Sequence, residues 1–148
     1  MKQSDKSAAL ALWANRAVML TVAVLVPSLP RLMQWYNSFR PLAPKQNLAI
    51  VIAFYLCVPV AEYALWNLEK LLRNIRGGQV FVPDNVSRIR RVCLCCLLVS
   101  LICLPAAYFY APLIFLSIIM GFLCPVVNVV RQVMRAAVEI REENDLTV

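Results

Sequence analysis

The chain has 148 residues, 61% of them hydrophobic and 16% charged, with mean hydropathy +0.70 and formal net charge +7. A soluble domain is typically about half apolar and about a quarter charged, so this composition excludes an ordinary water-soluble fold. Histidine is absent, which removes Ser-His-Asp, Cys-His and HExxH chemistry; there is also no GxGxxG motif and no P-loop.

A bilayer core of about 30 Å takes roughly 20 apolar helical residues to cross. Four such stretches stand at 9–29, 47–66, 93–110 and 113–130. They do not alternate as barrel strands would. The expectation is an all-α fold: an integral membrane four-helix bundle forming one transmembrane domain over 1–148.

The first stretch follows a charged start, but Asn15 and Arg16 interrupt its apolar run and no convincing small-x-small site follows. It is read as a retained span, not a cleaved signal. It closes in "VPSLPRLMQWYNSF", where Pro27 and Pro30 are expected to break or kink the helix. Trp35, Tyr36 and Phe39 suit an interfacial anchor, and "RPLAPKQ" a short connection. The second stretch continues past the apolar run. Glu62, Trp66, Glu69, Arg73 and Arg76 recur at steps of three and four and form one polar stripe. Gly77-Gly78 is a natural helix end.

A loop over 67–92 comes next in this reading. Val80-Phe81-Val82 is strand-like, and Pro83-Asp84-Asn85 reads as a turn into a short, surface-lying lead to the third span. Spans three and four meet near Tyr108–Pro112, where aromatics suit an interface belt. The last helix carries Arg131, Arg135, Glu139 and Glu142 on one side and is expected to end near Glu143. In the tail over 131–148, "NDLTV" is a candidate short strand expected to pair with or pack against Val80-Phe81-Val82. "LCVPVAE" and "LCPVVN" in spans two and four form a faint repeat, each with a polar residue three after its proline.

Charge sets the expected orientation. Twelve of the fifteen basic residues fall on the side of the two termini and the 67–92 loop; only Arg31, Arg40 and Lys45 fall on the other. The positive-inside rule then selects both termini inside, with helices two and four extending into the cytoplasm of a bacterial inner membrane. The six cysteines lie in or beside spans. Small thiols pack well between helices, and neither a metal nor another cofactor is expected. No nucleic-acid motif appears, so direct DNA binding is not expected either.

Intramembrane charge is costly and tends to be paired inside the protein. At about 1.5 Å per residue, Arg16 and Glu62 reach the same depth within a turn, and Asn128 and Arg131 come near it. These four are predicted to form a polar cluster, with Asn67 a further candidate. Two roles stay open for it: a pair that fixes helix register, or a switch or transport site.

"LLRNIRGGQVFVPDNVSRIRRV" and "EIREENDLTV" carry a resemblance. The first resembles the loop of a bacterial membrane family known as domain of unknown function 2975, with Gly78, Phe81, Asn85, Ile89 and Arg90 at its marking positions. The second resembles the family's acidic close, here Glu142, Glu143, Asn144 and Asp145 through Val148. Members are often encoded beside a small Cro/CI-like helix-turn-helix regulator. The resemblance thus implies a non-enzymatic, membrane-embedded regulatory or sensory protein whose loop and tail bind such a transcription regulator. Two other classes stay open: a small transporter or channel subunit, homo-oligomeric and using the Arg/Glu/Asn cluster, and an immunity protein against a membrane-active peptide.

Overall fold

A computed structural model describes the backbone of residues 2–146, and the side chains of residues 9–141 and Glu143. It contains four helices: α1 (Lys2–Phe39), α2 (Pro44–Arg76), α3 (Pro83–Phe109) and α4 (Leu113–Leu146). Each is long and apolar enough to cross a membrane. At about 1.5 Å per residue, the 33 residues of α2 reach about 50 Å, so its charged end projects beyond a 30 Å core.

The cross-helix contacts fix an up-and-down topology. Asn15 meets Leu65 while Val26 meets Tyr55, so α1 and α2 run antiparallel. Cys57 meets Cys103 and Asn74 meets Asn85, which reverses α3 against α2. Cys93 meets Cys124 and Ser100 meets Ser117, which reverses α4 against α3. Each helix packs on its sequence neighbour, and among the described residues no other pair of helices comes into backbone contact. The row curves, because Leu68, Ile89 and Val127 from α2, α3 and α4 line one apolar cavity of about 210 Å³. A hydroxyl contact of 3.2 Å between Tyr36 and Tyr110 ties the end of α1 to the α3–α4 turn.

Burial is inverted relative to a soluble protein. Asn15, Asn67, Asn85 and Ser117 are buried, whereas Leu20, Phe115, Ile118 and Phe122 are more than 60% exposed. Apolar surface of this extent on a monomer needs an apolar surrounding. Exposed Trp13 and Trp35 on α1 stand about 33 Å apart at about 1.5 Å per residue, the separation expected of two interfacial aromatic belts. Trp66, Phe39 and Tyr108 are also exposed near those ends.

Three sequence expectations change. Pro27 and Pro30 do not break α1, which continues to Phe39. A proline frees the carbonyl four residues earlier; the one freed by Pro30, on Val26, accepts from the Tyr55 hydroxyl at 3.3 Å. Ser28 Oγ meanwhile donates back to the carbonyls of Val24 and Leu25 within the same helix, the usual way a serine is satisfied inside a helix. Second, residues 84–92 are not a surface-lying lead. Pro83 opens α3, and one uninterrupted helix runs to Phe109, since proline at a first helical position costs no hydrogen bond. Third, α4 does not end near Glu143 but holds to Leu146, because neither glycine nor proline occurs between Glu143 and Leu146. The strand pairing fails with it: Asn144 to Leu146 are helical, and 80–82 is not a strand. Thr147 and Val148 lie outside the described residues.

Candidate functional site at the basic end of the helices

The end that gathers the α2–α3 connection and the last turns of α4 is built by a network of asparagines. Gly78 sits at φ 77°, a left-handed conformation that costs other L-residues about 1–2 kcal/mol. There the Gln79 N–H donates to the Asn74 carbonyl and the Gly78 N–H to the Ile75 carbonyl, at 3.0 and 3.1 Å. This double bond pattern is a Schellman motif, and it stops α2 while turning the chain back. Asn85, with no exposed surface, fills the inside of the turn. Its Nδ2 donates to the carbonyls of Gln79 and Val80 at 2.8 and 2.9 Å, and its Oδ1 accepts from Asn74 Nδ2 at 2.8 Å. Three of its four hydrogen-bonding positions are thereby used. Arg88 grips Asp84 through two nitrogens at 2.9 and 2.6 Å.

The loop residues singled out by sequence therefore divide into two kinds. Gly78 and Asn85 shape the loop. Phe81, 43% exposed, and Arg90, also exposed, form its outer surface. Glu143 is exposed on the last turns of α4; the side chains of Glu142, Asn144 and Asp145 lie outside the described residues.

Of the four residues expected to cluster inside the membrane, Asn128 and Arg131 meet, while Arg16 and Glu62 go elsewhere. Arg16 Nε donates to Glu69 Oε1 at 3.1 Å, and Arg73 Nη2 to the same oxygen at 2.7 Å. Glu62 stands about two turns further into α2, and its buried Oε1 has no hydrogen-bond partner among the described residues. Arg131 donates to Asn128 Oδ1 at 3.3 Å, within α4. The i,i+4 spacing of Glu69 and Arg73 was legible; the depth estimate missed that Arg16's long side chain extends toward the charged end. Glu69 lies past the 47–66 stretch, and its carboxyl is held below its ordinary value chiefly by the Arg73 hydrogen bond, then by Arg16, against the opposing effect of burial.

Asn67, the further candidate for the cluster, and Asn15 are both buried, but among the described residues neither bonds Glu62. Asn15 Nδ2 donates to the Leu65 carbonyl at 3.1 Å, and Asn67 Nδ2 to the Tyr63 carbonyl at 2.8 Å. Arg91 reaches Asn67 Oδ1 at 3.5 Å, the outer limit of a hydrogen bond. Sequence reasoning also missed the α3–α4 seam. Ser100 Oγ donates to the Ser117 carbonyl at 2.8 Å, and Ser117 Oγ returns the bond to the Ser100 carbonyl at 2.9 Å. Gly121 completes the close approach: a Cβ there would stand 3.1 Å from Ser100 Oγ. The signal was present as two small residues four apart in an apolar run. The "CLCC" run is dispersed: Cys93 faces Cys124 at 2.8 Å, while Cys95 is buried separately.

Beside the loop, α3 and α4 enclose a cavity of about 300 Å³ lined by Ser87 and Arg90 on one side and by Arg131, Arg135 and Glu139 on the other.

Four helices of membrane-crossing length, apolar outside and polar at their contacts, define a multi-pass integral membrane protein. The chain belongs to the family described as protein of unknown function (DUF2975), which matches residues 11–148. Neither a curated protein nor a solved structure matches it.

Proposed function

We propose that the chain is a non-enzymatic regulatory or sensory protein of the bacterial cytoplasmic membrane, with both termini and the α2–α3 loop inside. The observation that carries this reading is the loop itself. A chain that needed only to connect two helices would not require a Schellman turn locked by a fully buried asparagine. The lock presents Phe81 and Arg90 outward from a rigid base, and conformationally fixed surface residues bind partners at low entropic cost. Aromatic and arginine side chains are also the types that most often anchor interfaces. The partner proposed is a cytoplasmic DNA-binding regulator, as the family's helix-turn-helix neighbours suggest. The twelve basic residues at this end support the inside orientation.

The test uses surface substitutions, because residues 83–91 are the first turns of α3 and deleting them would remove a span's base. A doubly substituted chain, Phe81→Ala with Arg90→Gln, is compared with the unaltered chain after detergent extraction from native cells. A DNA-binding protein that co-purifies with the unaltered chain and is lost from the variant, at equal folded yield, supports the reading. Equal recovery from both, or recovery from neither, counts against it.

A further inference from the structure

We propose that the cavity between the first turns of α3 and the last turns of α4 binds the phosphate of an anionic phospholipid. It stands independently of partner binding, because it rests on side chains of these two helices alone.

The charge balance comes first. Three guanidiniums, of Arg90, Arg131 and Arg135, meet one carboxylate, Glu139, around about 300 Å³. Glu139 is held by Arg135 at 2.9 Å, and Arg131 spends one nitrogen on Asn128 Oδ1. Arg90 has no hydrogen bond or ion pair among the described residues. Two positive charges are thus uncompensated in one concave space between two packed helices. Arginine's planar fork matches phosphate oxygens bidentately. The Ser87 hydroxyl lines the same cavity but donates its one proton to the Pro83 carbonyl at 3.3 Å, so in that rotamer it offers the phosphate no hydrogen bond. Asp84, the acid of the same helical turn, is gripped by Arg88 and does not line the cavity.

The position of the arginines selects a lipid as the source of the phosphate. On α4, Arg131 directly follows Val129 and Val130, which are 59% and 51% exposed. On α3, Arg90 lies one turn before Leu94, which is 48% exposed. The guanidiniums therefore stand at the edge of the mainly apolar stretch, with Val133 and Ile140 keeping α4 partly apolar beyond them. A phosphate at that level leaves its acyl chains lying along the apolar faces of the same helices. Basic pockets between membrane helices hold anionic headgroups in this way.

The test is a lipid titration of the detergent-purified full chain followed by native mass spectrometry. The probes are phosphatidylglycerol, phosphatidylcholine and inorganic phosphate. Phosphatidylglycerol is expected to saturate one site at least fivefold more tightly than phosphatidylcholine, without displacement by equimolar phosphate. Arg90→Gln and Arg131→Gln are each expected to weaken it about fivefold, near the value of one basic residue at a lipid surface. Arg76→Gln, an exposed arginine at the same end but outside the cavity, is expected to change it less than twofold. Equal affinity for the two lipids overturns the site, and this arm needs no variant. An Arg76 effect as large as that of Arg90 reduces it to general charge attraction. Phosphate competing as well as lipid overturns the lipid assignment.

Discussion

Asn85 shows how one side chain can close a loop. Removing it frees the carbonyls of Gln79 and Val80 and the Asn74 amide inside a fully enclosed space. Buried groups left unpaired cost about 1–3 kcal/mol. Asn85→Ala is therefore expected to lower stability in detergent by about 2–3 kcal/mol, read from thermal or denaturant midpoints, while Phe81→Ala at the exposed surface changes it by less than about 0.5 kcal/mol. An Asn85→Ala chain as stable as the parent would remove the loop lock. Glu69 gives a pH-dependent counterpart. Its carboxyl is lowered in the folded state, so it adds stability that is fully present above its ordinary value of 4.5 and lost as pH falls through the folded value. Both arginine partners are well exposed, which limits the gain to below about 1 kcal/mol. Glu69→Gln is expected to be slightly less stable than the parent at pH 7, with the gap closing as pH is lowered below 4.5. A gap that stays constant as the pH is taken down until the parent unfolds would dissociate the stability from the carboxylate charge. The sequence made Gly78 and Asn85 visible as family marks, but a partner-facing role and a turn-building role leave the same mark; only the hydrogen bonds separate them.

Between elements, small residues decide how closely helices meet. In lipid there is little hydrophobic drive to pair helices, so close packing and interhelical hydrogen bonds do the work. The Ser100/Ser117 exchange beside Gly121 is the clearest instance here. Gly121→Ala places a methyl 3.1 Å from Ser100 Oγ, a contact that a few tenths of an ångström of movement relieves. Gly121→Leu cannot be relieved so cheaply, and overpacking of this kind costs about 1–3 kcal/mol. The expected order of thermal midpoints is parent, then alanine, then leucine, with the larger step at leucine. A leucine variant as stable as the parent would show that α3 and α4 do not meet through this face. The prolines teach the complementary lesson. In water, prolines at 27 and 30 favour a break or a kink, which is what the sequence led us to expect, and the break does not occur. In lipid, an unsatisfied backbone is so costly that the chain keeps the helix and recruits the Tyr55 hydroxyl to the Val26 carbonyl that Pro30 frees. That recruitment depends on a residue 29 positions away, which no local pattern displays.

At the level of the whole molecule, the number and order of the spans were legible because length and hydropathy alone decide what can cross a bilayer. The turn at Tyr110–Pro112 inside a long apolar run was legible from its prolines and aromatics. What the pattern could not show is the curved row in which, among the described residues, only the backbones of sequence-neighbouring helices meet, or the separation of Arg16 from Glu62. Depth along a helix is readable from residue counts, whereas the face a side chain presents depends on rotation about the helix axis. The row places Lys45 at one end and Phe81 at the other, each exposed, with the native cysteines all inside or beside the apolar segments. Lys45→Cys and Phe81→Cys are therefore two reporters for one membrane-impermeant thiol reagent applied to intact cells. Labelling of Lys45→Cys from outside, with Phe81→Cys labelled only after the membrane is opened, is the expected result. Labelling of both from the same side would contradict the four-span, basic-end-inside arrangement on which the loop, its partner and the phosphate site all depend.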